Sequence, residues 1–515
     1  MMDFRNSFSQ VLAIMVRNFA MLSFGMGLGF QTILIGGVLQ DTENFVDVGD
    51  NEVSWLGSTL WLALVIGCLS SGFLTEPLGR KRTMQLVTIP YIACWITFYY
   101  SSKLWHLYAI LMVMGFFSGV LEGPNIIYVS EVSQPHLRGA LAISGAIAVT
   151  CGTFVQFLLG TFYIWRICAL ISCIFPILTF CMFFFVPESP QWLLSNNKLE
   201  EAKKSLAWVR GWTTVENVDL EIKNISQQLI IDNSQVKGSI TLKKYLTQFS
   251  GRRFLYPLGL VSFIFIVNTF TGADTLQTYA ITIFTTMKIP IDEYYATLFV
   301  GSAQVLGALI NIALLRLLGK RRLAFISLLS ISVCNIVIAT YGYLSGVVHV
   351  TLLMDNEVSS GLDISYYQWI PLTFLVLLTL INQCGVYSLP WILMAEVFPY
   401  ETRAVGSGIC SGVSSFLTFL TNNLFLLVVS QITIPGIYYL HSIIAIFGTA
   451  VLYIYLPETE GKTVESIVAI FAEKANSSQK NQDNQVHPSF TGIENLSFEY
   501  GGNYVGLNED SISRV

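Results

Sequence analysis

Charge is the scarcest property of this chain. Asp, Glu, Lys and Arg together make up 12% of its 515 residues, while 53% are hydrophobic and 13% aromatic. A soluble globular domain carries roughly 25% charged residues. So few charges cannot clothe a water-facing surface of this size, which excludes a string of soluble domains. Histidine is almost as rare: the 5 copies are scattered. There is no HExxH motif, no spaced His/Cys cluster and no nucleophile elbow, so neither a metal site nor an enzyme is expected. "GKTV" at 461–464 lacks the first glycine of a phosphate loop, because Leu456 stands at that position. ATP binding is excluded on that ground. No cofactor and no nucleic-acid partner are expected. The 9 cysteines all fall inside apolar runs, away from the loops where a disulfide would sit; they are expected to be small packing residues.

What the chain does have is long apolar runs. About twelve stretches approach the ~20 residues that cross a bilayer core. They lie at roughly 19–40, 54–75, 84–101, 105–129, 139–161, 165–185, 254–287, 295–317, 323–346, 368–391, 404–430 and 435–456. The first is too long for a signal peptide, shows no small-residue cleavage site, and is expected to be retained. Of the 28 Lys and Arg, only Lys103, Arg166 and Lys288 fall on one side of this scheme. The rest share the side of both termini, which the positive-inside rule makes cytoplasmic. Acidic residues gather opposite: Asp41, Glu43, Asp47, Asp50 and Glu52, then Asp355, Glu357 and Asp363. Sequons at Asn224, Asn476 and Asn495 lie on the basic side, where glycosylation is not expected.

Two polar segments interrupt the pattern. Residues 186–253 form a cytoplasmic linker with an amphipathic stretch, "KLEEAKKSLAWVRG"; residues 457–515 form a polar tail, expected to be largely disordered. They divide the chain into a six-span half at 1–185 and another at 254–456. The halves echo one another. "GRKR" at 79–82 is answered by "GKRR" at 319–322, "EVSQPHLRG" at 131–139 by "EVFPYETRA" at 396–404, and "VPESPQW" at 186–192 by "LPETEGK" at 456–462. Ordered pairs with preserved internal spacing argue for an internal duplication. Duplicated membrane halves with a midplane site between them are the architecture of many secondary transporters.

With these strings, and with "LPWILMAEVFPYETR" and "PETEGKT", the chain resembles the sugar-transporter branch of the major facilitator superfamily up to about residue 470. The "GMGLGFQTILI" opening of the first span is most similar to insect facilitated trehalose and glucose transporters. The resemblance implies an all-α membrane protein with twelve transmembrane helices in two six-helix halves. It implies a carrier in the plasma membrane that moves a sugar, a hexose or a disaccharide such as trehalose, by alternating access.

The resemblance also implies site residues. Arg80, Glu131, Arg138, Glu188, Arg321, Glu396, Arg403 and Glu458 match a cytoplasmic gate of ion pairs. The gate locks the halves together in the outward-open state and breaks in the inward-open one. Four departures weaken the match. Glu76 followed by Pro77 replaces the usual Asp, Arg316 occupies the acidic position of the second half, Phe116 replaces an Arg, and Gln191 replaces an Arg. For the substrate, Gln156, Asn268, Thr269, Asp274, Gln304, Trp391, Ser415 and Phe416 fall at sugar-contacting positions. Asn268, Thr269 and Asp274 stand where the family has longer amides and an Asn, which leaves room for a disaccharide or another polyol. Gln31 and Phe116 replace the Asp and Arg of proton-coupled relatives, which favours facilitated diffusion. Glu122 and Asp274 nevertheless lie inside spans, where charge is costly, so proton symport stays open, as does a non-transporting sugar sensor. Ser513-Arg514-Val515 fits a PDZ ligand and Tyr504–Leu507 a sorting signal, so a PDZ or sorting partner stays open as well. Besides the sugar or polyol, the expected partner is membrane lipid.

Overall fold

The computed structural model describes residues 2–41, 45, 48–227, 251–347, 367–398 and 403–456. Among these the only regular elements are helices. The first five spans are single helices, Met2–Gln40, Asp50–Leu78, Arg80–Tyr100, Leu104–Val132 and Pro135–Phe162. The sixth is two short helices, Trp165–Ser172 and Ile174–Met182. The seventh is broken into Arg252–Thr269 and Ala273–Thr286, and the tenth into Trp369–Cys384 and Leu389–Val397. Between and after them run Glu293–Leu318, Lys320–Leu344, Arg403–Ile432 and Ile434–Tyr455. Eleven described segments are long and apolar enough to cross a bilayer. The third span, Arg80–Tyr100, completes the twelve; its Gln85, Thr88, Tyr91, Tyr99 and Tyr100 dilute its hydropathy. The chain is a multi-pass integral membrane protein.

The first span begins about seventeen residues earlier than its apolar run suggests. Its polar start is held by other elements. Ser9 Oγ donates to the Val209 carbonyl at 2.6 Å, and Gln10 exchanges bonds with Gln134, from its Nε2 to the Gln134 side chain at 3.1 Å and from the Gln134 N–H at 2.9 Å. Tertiary partners there replace the apolar signal that sequence reading relies on.

Helix pairing repeats with an offset of six spans. The first span packs on the fifth and the seventh on the eleventh; the second packs on the fourth and the eighth on the tenth. The third packs on the fourth and sixth, and the ninth on the tenth and twelfth. The duplication expected from the loop strings thus recurs in the packing. Across the two sets, the second span packs on the eleventh and the fifth on the eighth.

Lipid is as apolar as leucine, so these crossings depend on close approach rather than on hiding apolar surface from water. Small residues allow it. At Gly25 any side chain would run into the Val149 carbonyl of the fifth span, and at Gly115 into the Leu60 carbonyl of the second. The outer faces carry exposed Phe73, Phe185 and Leu317, as a lipid-facing surface requires.

On the face that carries the basic loops, helices Pro190–Ser195 and Leu199–Val209 form a small core of their own with Trp192, Leu206, Val218 and Ile222. Trp192 Nε1 donates to the Glu76 carbonyl at 2.8 Å, which anchors this unit beneath the second span. Gly25→Leu is expected to separate the first and fifth spans and cost about 1–3 kcal/mol. A lowered melting temperature in detergent, with Gly72→Leu unchanged because nothing lies within 4 Å of that position, checks this.

Candidate functional site

Both broken spans aim polar groups at the centre of the molecule. The seventh span stops at Thr269 and restarts after Gly272, whose φ of +89° is left-handed. A Cβ there would meet His441 Cδ2 at 2.7 Å, so strain and contact both call for glycine. The interrupted backbone is satisfied by protein. His441 Nδ1 bonds the Phe270 carbonyl at 2.8 Å, and Asn335 Nδ2 donates to the Thr271 carbonyl at 3.2 Å. The restart puts Asp274 in the first turn of a new helix, where the positive end of the helix dipole faces it. Gln277 follows one turn on. In the tenth span, Gly385 and Tyr387 both donate their N–H to the Asn382 carbonyl, and Asn311 Nδ2 caps the Cys384 carbonyl at 2.6 Å. That turn delivers Gln383 and Tyr387.

Asp274, Gln277, Gln383 and Tyr387 line a small central cavity together with Leu28, Trp61, Val149, Thr150, Thr153 and Gln304. Gln304 Nε2 donates to Gln277 Oε1 at 2.8 Å, and Thr153 Oγ1 to the Gly25 carbonyl at 3.1 Å. The indole N–H of Trp61 is buried with no partner. Glu122 lies nearby, its Oε2 accepting from Ser411 Oγ at 2.6 Å and from Cys68 Sγ at 3.2 Å. Tyr387 is within Coulombic range of both the Asp274 and Glu122 carboxyls. Among the described residues, neither carboxyl has a basic group within 4.0 Å. Amides and hydroxyls around an apolar and aromatic wall suit a small polar solute.

Of the sugar-contacting positions expected from the sequence, the cavity lining includes Asp274 and Gln304. The others sit outside it. Gln156 is 0% exposed and turned toward the sixth span, where Ser172 Oγ donates to its Oε1 at 2.8 Å. Asn268 and Thr269 are buried on the other side of the break, with Asn268 Oδ1 and Thr269 Oγ1 unpartnered. Trp391 packs edge-on to Phe265, with ring centroids 5.2 Å apart. Ser415 donates to the Ser411 carbonyl one turn back. Phe416 is 48% exposed and leans on Phe419, a packing position rather than a ring plate for substrate. Sequence reading passed over Trp61, Gln277 and Gln383. The one available signal was Gln277, one helical turn from Asp274.

On the acidic face the two sets of helices are bonded to each other. Thr32 Oγ1 donates to the Gln277 carbonyl at 2.5 Å, Asn422 Nδ2 to the Gly57 carbonyl at 3.3 Å, and Asn423 Nδ2 to Ser58 Oγ at 3.0 Å. Tyr279 stacks on Phe425 at 4.9 Å and donates to the Asn422 carbonyl at 2.7 Å. Its hydroxyl lies 2.6 Å from where a Cβ on Gly57 would be. Arg166 pairs with Asp41 at 3.2 Å on the same face.

The basic face differs. Arg80 pairs with Glu131 at 3.3 Å and Lys320 with Glu396 at 2.7 Å, each pair within its own set of six spans. Glu188 accepts from the N–H groups of Lys81 at 2.8 Å, Arg82 at 3.2 Å and Ser189 at 3.0 Å, and so caps the third helix. Arg321 donates to the Tyr453 carbonyl at 2.6 Å and lies over the Tyr453 and Phe325 rings. Arg138 donates to the Ser133 carbonyl at 3.4 Å. In this conformation Glu396 is held by Lys320, and Glu188 acts as a helix cap. Among the described residues no ion pair joins the two sets on this face. Glu458 and the side chain of Arg403 lie outside the described residues, as does the tail.

A protein-family model described as "Sugar (and other) transporter" matches residues 20–471. The chain is similar to the facilitated trehalose transporter Tret1 of Bombyx mori, 25% identical over 449 residues that cover 87% of this chain and 85% of that protein. It is similar also to Tret1 of Apis mellifera ligustica, 26% identical over 463 residues, covering 90% and 88%. Among solved structures it shares its fold with the proton:xylose symporter XylE bound to 6-bromo-6-deoxy-D-glucose, at a TM-score of 0.69 and 17% identity, covering 90% of this chain and 100% of that one. The partially occluded inward-open form of XylE from E. coli matches at a TM-score of 0.68 and 16% identity, covering 88% and 99%. Matched along most of its length, the chain belongs to the sugar (and other) transporter family.

Proposed function

We propose that this protein carries a sugar across the plasma membrane by alternating access, as a facilitative uniporter with both termini in the cytoplasm. The observation that carries this reading is the central cavity, set between two broken spans, with the two sets of helices hydrogen-bonded to each other on its acidic side. The substrate binds among Trp61, Asp274, Gln277, Gln304, Gln383 and Tyr387. The two domains are residues 1–185 and 254–456, which rock about this site, with 186–253 as a cytoplasmic linker and 457–515 as a tail. The Tret1 relatives point to trehalose or a hexose as cargo.

The gate expected from the sequence belongs to this reading. A carrier open toward the basic face has its outer contacts made and its cross-domain cytoplasmic ion pairs broken. Gln31 adds to the uniport reading. It stands where proton-coupled relatives hold an Asp, and its Nε2 donates to the Leu56 carbonyl at 3.3 Å, as a structural amide does. Proton symport is the second reading, favoured by the uncompensated carboxyls of Asp274 and Glu122.

Purified protein in proteoliposomes is expected to show counterflow of a labelled sugar from a panel of glucose, trehalose, fructose and inositol; absence of counterflow with every member defeats the transport reading. Uniport predicts uptake of neutral sugar that is flat from about pH 5 to 8. Uptake driven by an inward proton gradient, and lost in Asp274→Asn, establishes symport instead. Gly57→Trp is expected to wedge the outer closure against Tyr279, so that transport falls at least about tenfold while solvent reaches the cavity from the acidic face. Cysteine-labelling accessibility of cavity positions, measured from each side, checks the direction. Arg403→Glu is expected to shift the same accessibility toward the cytoplasmic side; unchanged accessibility and kinetics rule out a latch role for Arg403.

A further inference from the structure

The cavity has an imbalance that a neutral sugar does not explain. Its lining offers Asp274, and Glu122 lies within the same field around Tyr387, yet the lining contains no basic residue. The buried Arg17, 2% exposed, does not neutralise them. Its guanidinium packs at Gly145, and its Nη1 donates to Asn18 Oδ1 at 2.6 Å. A carboxylate at membrane depth is relieved by hydrogen-bond donors, by a proton or by a cation. Glu122 has its donors in Ser411 and Cys68. The Asp274 carboxyl has none among the described residues.

A second, independent observation points to a ligand. Gln383 is 7% exposed, lines the cavity, and its side-chain amide bonds to no described residue. Trp61 Nε1 is buried and unpartnered in the same wall. Buried polar groups without partners cost free energy unless something fills the space and bonds to them. Amide and indole donors suit hydroxyl oxygens. The Trp61 and Tyr387 rings suit a positive charge next to a carboxylate.

We propose that the preferred cargo is a sugar or polyol carrying an ammonium group, with Asp274 taking the ammonium, Trp61 and Tyr387 flanking it, and Gln277, Gln304 and Gln383 bonding the hydroxyls. This rests on the transport reading above and narrows its substrate. The ammonium supplies the positive charge that the lining leaves out.

The test is a panel of labelled glucosamine, N-acetylglucosamine, glucose and trehalose in proteoliposomes at about pH 7, where a primary amine is still largely protonated. Glucosamine and N-acetylglucosamine share the ring, and only one carries charge. The expected result is a KM for glucosamine at least about tenfold below that for N-acetylglucosamine and glucose, with glucosamine uptake raised by an inside-negative potential. Asp274→Asn is expected to bring the KM ratio of glucosamine to N-acetylglucosamine close to one. The wild-type panel decides the matter even if that variant does not fold. If glucose or trehalose is carried and glucosamine shows no preference, the proposal is overturned and the transport reading stands. If no member of the panel moves, both fall together.

Discussion

Everything in this molecule follows from one constraint: inside a bilayer, every backbone N–H and C=O must find its partner within the protein. A continuous helix meets it alone. A broken helix does not, and the seventh and tenth spans are broken in mid-course. The exposed backbone of the seventh span is answered by His441 and Asn335, and that of the tenth by Asn311 and by the local turn onto Asn382. Breaks so supported are affordable only in the interior, between the two sets of six spans. They also bring two polar side chains each to a common centre, Asp274 and Gln277 from one and Gln383 and Tyr387 from the other. The need to satisfy backbone and the making of a binding site are the same structural event.

The second theme is asymmetry between the faces. Neutral hydrogen bonds and close packing around Tyr279, Asn422 and Gly57 join the sets on the acidic face. Among the described residues, ion pairs on the basic face stay within each set. A small number of weak contacts on either side is enough to set the balance, because two conformations that interconvert differ by only a few kcal/mol. Glu122 is the exception at mid-depth, since its bond to Ser411 joins the fourth span to the eleventh across the two sets.

Some of this was open to sequence reading and some was not. The spans, the duplication and the basic loops were legible because each rests on a run of many residues. The position of single polar groups was not. Gln156 and Gln383 give the same signal, an amide side chain inside a long apolar run. One is turned to Ser172 and the other to the cavity. A span that is apolar all round has no polar face to announce which way it points. The gate shows the same limit: the Arg and Lys of "GKRR" are neighbours in sequence, and only the approach of Glu396 decides that Lys320 takes the pair.

By itself the sequence determined that the chain crosses a membrane about twelve times, in two related halves, with one basic face. Length, hydropathy and charge placement are sums over many residues, and single contacts do not alter them. Only the tertiary structure decided which side chains meet: that Asp274 shares a cavity with Trp61, Gln383 and Tyr387, and that hydrogen bonds join the two sets on the acidic face. Those facts depend on the rotation of each helix about its axis and on where two spans break, and residues more than three hundred positions apart in the chain settle them together.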